Sequence, residues 1–161
     1  DENYFEYVDP NELIEEVLIV VNNEVKYVAT VEKSLAPCPP VFCNKGQIEQ
    51  VLVNLIINAA HAIKGYRTDG TGLIKISTVP DRDGVSLNIG DNGSGIKDEN
   101  LSKIFDPFFT TKPVGQGTGL GLSISYNIIV DKHKGKINVD TELGGGTCFK
   151  VWIPYTQPIT A

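Results

Sequence analysis

The chain has 161 residues, 41% of them hydrophobic, which suits one domain with its own core, and it carries a formal charge of −6 with a pI near 4.9. That balance, with no local cluster of Lys or Arg, excludes a nucleic-acid surface, and no apolar run approaches the about 20 residues needed to cross a bilayer. The N-terminal DENYFEYVDP lacks the basic start and apolar centre of a signal peptide, and Cys38, Cys43 and Cys148 are odd in number without C-x-x-C spacing, so a soluble, cytoplasmic segment with reduced thiols is expected.

Asp9, Pro10 and Glu12 read as an N-cap, a first-turn proline and an acid at the third position, opening a helix over about 10 to 24 on Leu13, Ile14, Val17, Leu18 and Val21. Alternation from Lys26 to Glu32 predicts a strand, broken by Ala36-Pro37-Cys38-Pro39-Pro40. From Lys45 to Lys64 the apolar residues Ile48, Val51, Leu52, Leu55, Ile56, Ala59, Ala62 and Ile63 keep helical spacing, and Gly65 ends the run. Leu73 to Val79 and Val85 to Ile89 read as a hairpin across Asp81-Arg82-Asp83-Gly84. Residues 97 to 117 hold one short helical piece, Glu99 to Ile104, in what reads as a long mobile connection, a length usually functional. A helix over about 119 to 132, a strand Lys136 to Thr141, a turn Gly144-Gly145-Gly146 and a strand Cys148 to Pro154 complete a mixed α/β order.

The most telling stretch is Gly115-Gln116-Gly117-Thr118-Gly119-Leu120-Gly121-Leu122, four glycines at alternate positions before an apolar helix. Such a backbone can wrap a polyphosphate and aim the helix N–H groups at anionic oxygens, which is the first reading, with a flexible hinge as the second. It is neither a P-loop, which needs GK[ST], nor a Rossmann fingerprint, which follows a strand directly.

Helix 45–64 bears a polar stripe of Gln47, Gln50, Asn54, Asn58 and His61 beside its apolar one. With Val53 and Ile57 on the remaining side, the helix is expected to be covered, leaving the stripe to face a wet cavity. An Asn amide there can complete the coordination of a magnesium ion held mainly by phosphate oxygens and water, and His61 could reach a phosphate. In Asp91-Asn92-Gly93-Ser94-Gly95 the carboxylate can accept from an exocyclic amine while the glycines admit a planar group, though Asp-Asn-Gly is also an ordinary tight turn. Lys112, among Thr110, Thr111 and Pro113, can meet a terminal phosphate from a lid.

The order of these pieces discriminates further. An Asn-bearing helix, the Asp-Asn-Gly-Ser-Gly turn, Phe105-Asp106-Pro107-Phe108-Phe109, the glycine loop at 115–121 and Gly144-Gly145-Gly146-Thr147 follow the order of the N, G1, F, G2 and G3 boxes. Over residues 9 to 154 the chain resembles the catalytic and ATP-binding domain of sensor histidine kinases, within the gyrase, Hsp90, histidine kinase and MutL (GHKL, or Bergerat-fold) superfamily. The resemblance implies a two-layer α/β sandwich, a mixed and mostly antiparallel sheet on three helices, with ATP and Mg2+ between the helical layer and a mobile lid. It implies that Asp91 binds the adenine amine, that Gly93, Gly95 and Ile96 shape the base pocket with Thr147 near it, and that Asn58 is the metal ligand. Asn54 would line the cavity near the phosphates, and Gly117, Thr118, Gly119, Leu120, Gly121 and Leu122 would form the phosphate loop.

In the hydrolysing relatives a glutamate stands where this chain has Asn54, and an amide is no general base, so transfer to an already nucleophilic histidine is expected in place of hydrolysis. His61 and Thr110 depart from the lysine and arginine of many members. Neither His61 nor His133 looks like a phosphoacceptor, so the chain is expected to be a catalytic fragment, monomeric alone, that acts on a separate dimerisation domain upstream of a response regulator. A nucleotide-sensing module without transfer, or a serine kinase of the anti-sigma-factor type, remains as the alternative.

Overall fold

The computed structural model describes residues 4–109 and 121–156. Strand β1 (Glu6–Val8) leads into helix α1 (Pro10–Val20) and the short helix α2 (Asn22–Val25). These are followed by β2 (Thr30–Leu35), β3 (Val41–Cys43), the long helix α3 (Lys45–Ile63) and the hairpin of β4 (Leu73–Asp81) and β5 (Gly84–Asp91). Helix α4 (Asp98–Leu101), helix α5 (Gly121–Tyr126), β6 (Lys136–Glu142) and β7 (Gly146–Pro154) close the order. Residues 127–132 continue α5 in a wider winding, marked by the N–H of His133 donating to the carbonyl of Ile128, five residues back, at 3.0 Å.

Five strands form one mixed sheet in the order β2-β4-β5-β7-β6, parallel only between β2 and β4, while β1 and β3 pair separately. Alternation along β4, β5 and β7 turns Ile74, Ile76, Leu87, Ile89, Phe149 and Val151 inward, where they meet Leu13, Ile14 and Val17 of α1 and Leu52, Leu55, Ile56 and Ala59 of α3. This is the two-layer sandwich that the resemblance implies, and its buried face supplies most of the folding energy.

Local signals hold for α1, where the Asp9 carboxylate accepts the N–H of Asn11 at 2.9 Å, and for α3, where Asn44 caps Gln47 at 3.0 Å. Gly65 leaves α3 at φ 82°. The strand expected from Lys26 is a correction. Lys26 to Ala29 stay in helical and turn geometry, with the N–H of Ala29 bonded to the carbonyl of Val25 at 3.0 Å, and β2 starts at Thr30. Val25 is buried one turn beyond buried Val21, so helical spacing outweighs the alternation that follows. The connection after Lys97 is also better packed than expected, because Ile104 is buried and the Phe105 ring lies 5.3 Å from that of Tyr126.

His133 locks the two helical ends together. Its ring is buried, its Nδ1–H donates to the carbonyl of Ile128 at 2.8 Å, and its Nε2 accepts the N–H of Asn44 at 3.1 Å, with Phe5 stacked at 4.9 Å. Burial, the largest influence, pushes its pKa below the ordinary 6.5, which keeps the ring neutral. His133→Phe retains the stack but deprives the buried N–H of Asn44 of its ring acceptor, while the Ile128 carbonyl keeps the backbone N–H of residue 133, and should cost about 1 to 3 kcal/mol in thermal or urea unfolding. A loss below about 1 kcal/mol would show that the lock is dispensable.

Candidate functional site

Asp91 ends β5 on the helix-facing side, two residues beyond buried Ile89, opposite Thr147 of β7. The N–H of Gly93 donates to its Oδ1 at 2.8 Å and the backbone N–H of Thr147 also bonds its carboxyl, both favouring the charge. Burial outweighs them and pushes the pKa up from 3.8 to about 6. At neutral pH this is an ionised acceptor held in a poorly hydrated place, ready for a donor that water does not supply well.

The chain beyond Asp91 is pressed between two walls. A Cβ on Gly93 would sit 2.5 Å from the carbonyl of Ala62 on α3, and the next residue, Ser94, donates its N–H to that same carbonyl at 3.1 Å. Gly95 takes φ 79°, and a Cβ there would fall 2.3 Å from the carbonyl oxygen of Glu142. Ile96, half-buried, donates its N–H to Thr141 Oγ1 at 2.9 Å. Asn92 pins the turn to the start of β4, its Oδ1 accepting from the N–H of Leu73 and its Nδ2 donating to the carbonyl of Thr71, both at 2.8 Å.

Ala62, Asn58 and Asn54 recur every four residues on α3 and therefore share one face, spanning about 12 Å along the axis. Both asparagines are half-buried, and Val53 and Ile57 beside them pack on the core, as the apolar flank predicts. At the far end Asn54 Nδ2 approaches the carbonyl of Gly121, the first residue of α5, at 3.4 Å, a carbonyl that also accepts from Ser125 Oγ at 2.9 Å. The stripe thus runs from the Asp91 turn to the start of α5, with Leu122 packed beside it against the core. His61 is exposed on α3. Thr110, Thr111, Lys112, Gly117, Thr118, Gly119 and Leu120 lie outside the described residues.

Compared with known proteins, residues 43–157 match the family described as histidine kinase-, DNA gyrase B-, and HSP90-like ATPase. The chain belongs to that family. Within it the likeness is to histidine kinases. Over 125 residues, 71% of this chain, it is 42% identical to the sensor kinase CckA of Brucella abortus (strain 2308), of whose length it spans 13%. The solved catalytic domain of the histidine kinase ThkA superposes with a TM-score of 0.81 at 36% identity, covering 94% of this chain and 96% of that one. ThkA in complex with the response regulator protein TrrA matches with a TM-score of 0.76 at 33% identity, covering 94% and 42%. The chain is a catalytic, ATP-binding domain of the histidine kinase type.

Two features of this kinase domain are not evident from its motifs. Thr141 of β6 touches Ile96, Gly146 and Thr147 together through one oxygen, and only the pairing of β6 with β7 reveals it. The second is a concavity of about 740 Å³ lined by Lys75, Ser77, Asn88, Gly90, Cys148 and Lys150. These residues alternate with the core positions and so lie on the other side of the sheet, away from Asn54 and Asn58, with Lys150 paired to Asp140 at 2.9 Å. The hollow follows the outer face of the sheet and its lining extends at one end to Asp91, Thr141 and Thr147, so it adjoins the Asp91 turn.

Proposed function

We propose that this domain binds Mg-ATP with the adenine amine on Asp91 and the triphosphate along Asn58 and Asn54 towards Gly121, and gives the γ-phosphoryl group to a histidine of a separate dimerising domain. The observation that carries the reading is the docking of the Asp91 turn on Ala62, one helical turn from Asn58. An acceptor fit for a purine amine then stands beside the helix face that carries a neutral amide fit for a metal, which supports the reading.

Among the described residues no cluster of three or more His, Cys, Asp or Glu could hold a metal ion by itself. The Asn58 amide oxygen, a hard and uncharged donor, fits an ion whose other ligands are phosphate oxygens and water. Bound there, magnesium would offset charge on the transferring phosphoryl group. Gly93, Gly95 and Ile96 would shape the base pocket, Gly117 to Leu122 would cradle the phosphates, and Lys112, Thr110, Thr111 and His61 would approach them from the lid and from α3.

In the transfer an imidazole nitrogen of the acceptor forms a bond to the γ-phosphorus as the bond to the β,γ-bridging oxygen breaks, and ADP leaves. Asn54 cannot take a proton from water, which limits hydrolysis. His133 is unsuited to the acceptor role because it is buried with both ring nitrogens engaged. The phosphohistidine would then serve a response regulator, the partner class seen with ThkA. No helix among the described residues is long and apolar enough to cross a membrane.

Calorimetric titration should show ATP binding that magnesium strengthens, and with the dimerisation domain added, acid-labile phosphate should appear on a histidine. Asn58→Ala should lower affinity at least about tenfold with magnesium present and change it little in EDTA. Undiminished enhancement by magnesium would move the metal away from Asn58, and no ATP binding by the natural chain would refute the reading.

A further inference from the structure

Thr141 Oγ1 has one hydrogen to give and two lone pairs to share, and three groups surround it. The N–H of Ile96 lies at 2.9 Å, Thr147 Oγ1 at 2.9 Å and the carbonyl oxygen of Gly146 at 3.2 Å. Ile96 can only donate and the carbonyl can only accept. All three contacts are satisfied in one arrangement: Ile96 N–H and Thr147 O–H both donate to Thr141, and the Thr141 hydroxyl hydrogen goes to Gly146.

The Thr147 hydroxyl is then committed, and what it turns to its surroundings is a lone pair. It lies beside Asp91, its register partner on the same face of the sheet, whose carboxylate is also an acceptor. We infer that Thr141 is a positioning residue for purine selectivity: it holds the Thr147 hydroxyl as an acceptor, so that the site favours a purine with an amine at its six-position over one with a carbonyl. The inference rests on the ATP reading of this site and deepens it. A six-position carbonyl would face two acceptors with no donor, and a buried unpaired acceptor is a strong ground for rejection.

The test compares ATP with ITP, which replaces the six-amine by a carbonyl. In Thr141→Val the shape is kept and the hydroxyl lost, so Thr147 can rotate and donate to a carbonyl. The preference for ATP over ITP should then shrink at least about fivefold, and Thr141→Ser should restore it. A merely structural role would lower both affinities by one factor and leave their ratio as it was, and that outcome would overturn the inference while ATP binding stands. Should the Val variant not fold, Thr141→Ala, which adds no volume, carries the same comparison. If the natural chain binds no ATP, the inference falls together with the reading beneath it.

Discussion

Asp91→Asn is expected to weaken ATP binding about 100-fold while making the nucleotide-free domain more stable at neutral pH. A carboxylate offers two acceptors to a purine amine, whereas an amide turns one of them into a donor, and a lost hydrogen bond to a charged group accounts for most of that factor. The sign for stability follows from the raised pKa. The folded state disfavours the charge, so the cost is absent below the ordinary 3.8, grows as pH rises, and is complete above about 6. The displacement sets an upper bound near 3 kcal/mol, and residual contact with water together with the Asn amide hydrogens facing backbone N–H groups reduces the expected gain to on the order of 1 kcal/mol. Thermal unfolding at pH 7.5 and pH 4 separates these effects, since the gain should vanish in acid. ATP affinity of the natural chain should likewise fall as pH drops through about 6. Full ATP affinity in the Asn variant would remove Asp91 from the base pocket.

The largest structural effect should come from Gly146→Ala. Gly146 takes φ 102°, and a Cβ there would stand 2.0 Å from the carbonyl oxygen of Asp91, backbone that cannot swing aside as a side chain would. Left-handed strain and the clash together should cost about 3 kcal/mol or more, and lower the melting temperature by about 10 °C. Because the clash falls on Asp91 itself and on the junction that places Thr147, ATP binding should fail even where the variant remains folded. A shift below about 2 °C with binding intact would show that the β5–β7 junction yields more readily than its geometry indicates.

Elements whose signal lies within one stretch of chain were legible before any coordinates. Asn54 and Asn58 stand out on α3 because helical spacing alone puts them on one face, and Asp91 stands out because a strand runs into a glycine-bearing turn. Short strands were not legible: β1 and β3 have three residues each, too few for alternation to show, and exist because they pair with each other. Lys26 to Ala29 misled because the burial of Val25 against the helical layer settled their conformation, and that packing is remote in sequence.

By its own pattern the sequence determined the order of the motifs, the long amphipathic helix, the hairpin, and the absence of a general base at Asn54. Tertiary structure alone decided the rest: that Gly93 and Ser94 rest on Ala62, that Gly146 presses on Asp91, and that one hydroxyl on β6 links Ile96 to Thr147 of β7. The division has a physical basis. Periodicity and turn chemistry act over a few residues, whereas strand register and burial couple positions about 50 residues apart, and it is burial that lifts the Asp91 carboxyl to about 6.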